Sequence, residues 1–202
     1  MTTSRKKPNE KSIIQTCDSI IRSFNPVTHS VDTHCAEKLG DVSLPTTSPA
    51  NILMQQIVYG CFKEKPTLKN FIDVFYGDNA SRVLRVDMTM YTILAYIAVF
   101  RFDELGMPKF KEICSSEEPS KVSTFIAYLF NKENLWNTIR AAWMKVLDLE
   151  FVENKMLPRL VKLIPEMTRY ALDLDQDAVS NAAAEVAREE AKAKGESGVA
   201  KA

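Results

Sequence analysis

A chain of 202 residues is long enough for one sizeable hydrophobic core, and a prior of about 150 residues per domain favours a single domain with extensions. Hydrophobic residues make up 46% and charged residues 26%, an ordinary globular balance, and 26 Lys and Arg face 26 Asp and Glu. That neutrality excludes a global field drawing the protein onto nucleic acid or an anionic membrane. Only local patches remain for such a role, and six glycines with nine prolines are few for the many turns of an all-β fold.

In chain order, residues 1–9 read as a flexible, solvated arm. Ile13, Ile14, Cys17, Ile20, Ile21 and Phe24 then fall on one face of a helix, which Asn25-Pro26 stops because proline disfavours helical geometry in the residue before it. A weaker helix is expected over 30–38, and 40–49 (GDVSLPTTSP) is a loop by composition. Ser48-Pro49 has the form of an N-cap followed by a first-turn proline, opening a helix with Leu53, Met54, Ile57, Val58, Cys61 and Phe62 on its apolar face. Pro66 opens the next, carried by Leu68, Phe71, Ile72 and Phe75 and closed by Gly77-Asp78-Asn79. Residues 81–86 contain RVLRV and are read as a loop, with Asp87 as cap of the helix that follows.

That helix, 88–102 (MTMYTILAYIAVFRF), is the centre of the chain. It holds no charge before Arg101 and is apolar nearly all round, so it must be covered on most sides. A bilayer needs roughly 20 apolar residues, so the run is too short to span one. Gly106-Met107-Pro108 ends it, and a short helix over 109–114 follows. Pro119-Ser120 starts another, with Val122, Phe125, Ile126 and Leu129 on one side. Leu135, Ile139, Trp143, Val146 and Leu147 make the next. Trp136 and Trp143 are seven apart, two helical turns, and are expected to face the same way into the core. Pro158 and Pro165 punctuate shorter helical pieces carrying Leu160, Val161 and Ile164, then Met167, Ala171 and Leu174.

The 66–75 and 119–130 stretches (PTLKNFIDVF, PSKVSTFIAYLF) share a proline, Phe-Ile and a further aromatic, and are read as two proline-started helices rather than a repeat family. The expected fold is therefore all-α. One domain over 10–174 stacks antiparallel helical hairpins, armadillo- or HEAT-like or as an irregular bundle, around the buried central helix. From 175 to 202 the chain turns Ala/Glu/Lys-rich. Ala propensity favours a helix to about Lys194, and the Glu190–Lys194 pair adds on the order of a few tenths of a kcal/mol. That segment is either a frayed tail or a helix laid on a partner.

Little in the sequence carries chemistry. His29 and His34 are five apart, which does not place both imidazoles on one helix face as in a helical zinc site, although Cys35 adjoins the second. The reading preferred for them is a polar or capping position, with no metal. Neither a phosphate-binding glycine loop nor a G-x-S-x-G elbow is present. Cys17, Cys61 and Cys114 fall on or beside apolar faces, where cysteine behaves as a small hydrophobe. With no CxxC spacing and no secretory signal in MTTSRKKPNEKS, reduced thiols in a cytosolic-type compartment are expected. The acidic pairs Asp103-Glu104 and Glu117-Glu118 read as solvated helix ends. No enzymatic activity and no cofactor are expected. Basic residues remain: Arg5, Lys6 and Lys7, extended by Arg82 and Arg85, are the candidate contacts to an acidic partner.

From Asn25 onward, the order of landmarks resembles the cilia- and flagella-associated protein 99 family. They are Asn25-Pro26 with His29 and Val31-Asp32, then FIDVFY from Phe71 to Tyr76 and YTILAYIAVFR from Tyr91 to Arg101. Glu104-Leu105-Gly106, Phe110, Ser120-Lys121, Phe125, Phe130-Asn131, Leu135, Trp143, Phe151 to Glu153 and Pro165-Glu166 complete the series. The first residues and the Ala/Glu/Lys tail fall outside it. The resemblance implies a non-enzymatic structural adaptor of the ciliary or flagellar axoneme. Its partners would be other axonemal proteins, with the acidic tails of tubulin met through local basic patches, and neither nucleic acid nor membrane. The alternative is a helical peptide-binding module unrelated to cilia.

Overall fold

The computed structural model describes residues 12–42 and 44–199. Among them there is no β-strand, and the fold is all-α. Ser12 caps α1 (Ile13–Arg22) in a reciprocal capping box with Gln15. Ser30 caps α2 (Val31–Gly40), accepting from the Thr33 amide. Ser48 accepts from the Asn51 amide at 3.2 Å and Pro49 takes the first position of α3 (Pro49–Lys63), as the Ser-Pro pair predicts. α4 (Lys65–Asn79) follows after Glu64.

The apolar run that looks like one helix is composite. α5 (Met88–Tyr96) passes through a π-helical turn, Ile97–Arg101, into α6 (Phe102–Cys114). Ile93, Leu94, Ala95, Ile97, Ala98 and Val99 are all buried, as an all-round apolar helix requires. α1, α3 and α4 pack against α5. Gly106 breaks α6 with φ 70° and ψ 167°, a backbone conformation open to glycine, two residues before Pro108. The expected stop at Gly106-Met107-Pro108 is therefore a sharp kink.

α7 (Pro119–Leu129) is followed by a second π-turn, Asn134–Ile139, then α8 (Arg140–Trp143) and the single turn α9 (Leu149–Phe151). A third π-turn, Val152–Met156, leads into α10 (Leu157–Val199), which packs along α7. An interlocked set of rings joins these elements. Phe75 meets Tyr91 at 4.9 Å, Tyr128 at 5.1 Å and Phe125 at 5.8 Å, and Phe71 meets Phe125 and Trp143 at 5.9 Å each. One apolar face of α4 thus ties α5, α7 and α8 together, with edge-to-face pairs each contributing about 0.5–1.5 kcal/mol beyond area burial.

Four sequence expectations need correction. Pro158 and Pro165 do not divide the chain into short pieces, because both lie within one continuous helix, α10. Pro158 follows directly on the π-turn, where the ordinary hydrogen-bond ladder is already interrupted. Pro165 is exposed, and the bond it removes is offset by burial of Leu160, Met167, Tyr170 and Ala171 along the other side. Trp136 and Trp143 do not share an environment: Trp143 is 1% exposed and Trp136 37%. The π-turn between them takes an extra residue into each turn, so seven residues no longer make two turns. Asp87 stands at the N-cap position of α5, but its carboxylate makes no capping bond and is held by Lys121 instead. The acidic pair at 117–118 is not uniformly solvated either, for Glu117 is half-buried and accepts from Ser12 Oγ at 3.4 Å and Ser116 Oγ at 3.2 Å.

Candidate docking surface

The loop between α4 and α5 is short of apolar cover yet firmly held. The amides of Arg82 and Val83 both donate to the Asn79 carbonyl, at 2.8 and 3.0 Å, and the Val83 side chain is buried beneath. Leu84 is extended (φ −82°, ψ 140°), after which Arg85–Asp87 form a single 3₁₀ turn whose last amide returns to the Leu84 carbonyl at 3.0 Å. Lys121, from the first turn of α7, donates to Asp87 Oδ1 at 3.2 Å and lies 3.1 Å from Oδ2, an ion-pair distance, although Oδ2 itself is buried without a hydrogen bond. On the other side, an amino group of Arg22 at the end of α1 donates to the Val86 carbonyl, while its Nε bonds Asp18 at 2.8 Å.

Held in this way, the loop turns Leu84 and Val86 outward, each 62% exposed. Arg82 and Arg85 are exposed beside them, and among the described residues neither guanidinium has an ion-pair partner. These are two of the five basic residues singled out by sequence; Arg5, Lys6 and Lys7 lie outside the described residues. Arg22 was missed by sequence reasoning. It lies 64 positions before Val86, and only folding brings α1 against the loop.

Electrostatics around the loop are settled locally. Burial works against the Lys121 charge, but the hydrogen bonds and charges of Asp87 and Glu118 outweigh it and raise its pKa. The Ser120 hydroxyl, with help from Lys121, lowers that of Glu118. Asp18, Asp87 and Glu118 are thus already engaged by Arg22 and Lys121, and among the described residues none of them pairs with Arg82 or Arg85.

The histidines and cysteines make contacts within the fold. The imidazoles of His29 and His34 do approach, with ring centroids 6.2 Å apart, although His29 precedes α2 and His34 lies within it. His34 is buried, and its Nε2 bonds the Ile20 carbonyl at 2.9 Å, tying α2 to the last turn of α1. His29 faces Glu37 at 3.7 Å. Among the described residues no group of three or more His, Cys, Asp or Glu side chains is placed to hold a metal ion. All four cysteines are free and buried. Burial pushes the Cys114 thiol up to about 12 and raises Cys17 and Cys61 further, so none is a thiolate near neutrality. Among the described residues no helix is long and apolar enough to cross a membrane.

No protein-family model, no curated protein and no solved structure matches this chain. The class that the fold defines is an all-α protein, and one feature of its described surface is a braced loop of alternating arginine and apolar residues.

Proposed function

We propose that the protein is a non-enzymatic structural adaptor of the ciliary or flagellar axoneme, set between microtubule-associated proteins, with the Arg82–Arg85 loop among its partner contacts. The observation that carries this reading is the use made of the reactive side chains. The thiols are buried and His34 is spent on a main-chain carbonyl, whereas Arg82 and Arg85 stand exposed and, among the described residues, without an ion-pair partner. The resemblance of the ordered landmarks to the cilia- and flagella-associated protein 99 family motivates the axonemal part. Several of them, Phe71, Tyr91, Phe125 and Trp143, are the rings at the centre of the core, so the resemblance falls on residues that specify a fold.

Imaging of the tagged protein in ciliated cells tests this. Signal along the axoneme that survives detergent removal of the membrane and matrix is expected; a protein lost with the soluble fraction would refute the assignment. The second reading, a helical peptide-binding module without any tie to cilia, is favoured by the preorganised loop alone. It predicts the same binding behaviour in cells that lack cilia.

A further inference from the structure

We infer that the loop carrying Arg82, Leu84, Arg85 and Val86, with Arg22 at its flank, is a receptor for an acidic peptide segment containing an apolar side chain. This deepens the adaptor reading and rests on it for biological context only. Three observations point to a mixed ligand rather than a diffuse cation patch. Leu84 and Val86 are turned to water although the chain around them is fixed by the buried Val83, the Asn79 carbonyl, the Asp87–Lys121 pair and the Arg22 bond to Val86. Such preorganisation lowers the ordering cost that a docking surface otherwise incurs. Arg82 and Arg85 alternate with the apolar pair, and after bonding Asp18 and Val86 the Nη1 of Arg22 has no partner among the described residues. Guanidinium groups bind carboxylates bidentately, a geometry that suits glutamate and aspartate side chains.

The neighbouring carboxylates do not fill this role themselves. Asp18 holds Arg22, and Asp87 and Glu118 hold Lys121, so among the described residues Arg82 and Arg85 have no ion-pair partner and are free to meet an external carboxylate. Nucleobases stack best on aromatic rings, which this loop does not present, whereas an acidic peptide with one leucine or phenylalanine matches both the arginines and the aliphatic Leu84 and Val86.

Fluorescence anisotropy with the full chain tests the assignment. The probes are a labelled glutamate-rich peptide with one central phenylalanine, the same peptide with serine in that place, and a single-stranded oligonucleotide of equal charge. The phenylalanine peptide is expected to bind best, with affinity falling as salt is raised. The Arg82→Glu/Arg85→Glu variant should lose at least about tenfold for both peptides. Leu84→Ser should lose about tenfold for the phenylalanine peptide and nothing for its serine counterpart. Thermal melts should be unchanged in both variants, since neither substitution removes an intramolecular ion pair. Absence of peptide binding, equal affinity for all three probes, or indifference to the variants would overturn the proposal. So would a chain that sediments as a dimer and dissociates on Arg85→Glu, since a second copy would then occupy the loop. If the double variant still enters axonemes, the loop assignment falls as the docking contact while the adaptor reading stands. Intact peptide binding by a protein that never enters axonemes would do the reverse.

Discussion

The ring of Tyr96 fills the space that a side chain at Gly60 would take: a β-carbon built on Gly60 would lie 1.9 Å from Tyr96 Cζ and 2.1 Å from its hydroxyl oxygen. This explains a glycine in the interior of α3, where it costs about 1 kcal/mol in helix propensity relative to alanine. Close approach of α3 to α5 is the return. Gly60→Ala is expected to destabilise the fold by about 1–3 kcal/mol, because Tyr96, stacked on Phe100 at 5.7 Å, must move. In a Tyr96→Ala background the same change should be neutral or stabilising. Urea denaturation of the four proteins in the cycle measures the coupling.

The central rod gives a harsher test. Ile97 is fully buried in the π-turn between α5 and α6, where a new carboxylate would be stripped of its water. Ile97→Asp should abolish cooperative folding, a loss above about 4 kcal/mol. A soluble variant with a sharp thermal transition would show that this stretch is not core.

The two tryptophans should part company in both stability and spectroscopy. Trp143→Ala removes a buried ring packed on Phe71 and should cost about 3–5 kcal/mol, whereas Trp136→Ala should fall within about 0.5 kcal/mol of the parent. Single-tryptophan variants read by acrylamide quenching provide an independent check: Trp136 should be quenched readily and Trp143 should resist.

Glu117 predicts a specific pH dependence. Burial raises its pKa above the ordinary 4.5, more than the Ser116 and Ser12 hydrogen bonds lower it. The native state therefore binds the proton more tightly than the unfolded chain. The contribution is fully present below the unfolded-state pKa and is lost as pH rises through the higher native value. Glu117→Gln keeps an acceptor for Ser12 without the charge. Relative to parent, the variant should gain stability as pH is raised from about 4 towards neutrality, as the glutamate loses its proton above its unfolded-state pKa. An unchanged difference between the two melting temperatures over that range would contradict the assignment.

Much of the architecture is written in residue spacing. The Ser48-Pro49 start, the apolar faces of α1, α3 and α4, and the all-round apolar run at 88–102 each follow from local chemistry, and the structure places them accordingly. What could not be read locally are the π-turns and the continuity of α10. An i→i+5 turn leaves no composition signature, so the Trp136–Trp143 phase was expected to be helical. Likewise, Pro165 reads as a break unless the packing of α10 along α7 is known to hold the helix through it. The docking loop was half legible. Arg82 and Arg85 stand out as a charge pair in RVLRV, but the exposure of Leu84 and Val86 and the arrival of Arg22 depend on Val83 turning inward and α1 lying alongside.

Crosslinking mass spectrometry on intact, detergent-washed axonemes with a lysine-reactive reagent tests the adaptor account most directly. Lys121 lies beside the loop, and Lys111, over the Tyr170 ring at 4.8 Å, serves as a second reporter. The adaptor role predicts reproducible links from Lys121 to lysines that flank acidic segments of neighbouring axonemal proteins. Recovery of the protein solely in the soluble wash, with links confined to its own chain, would contradict it.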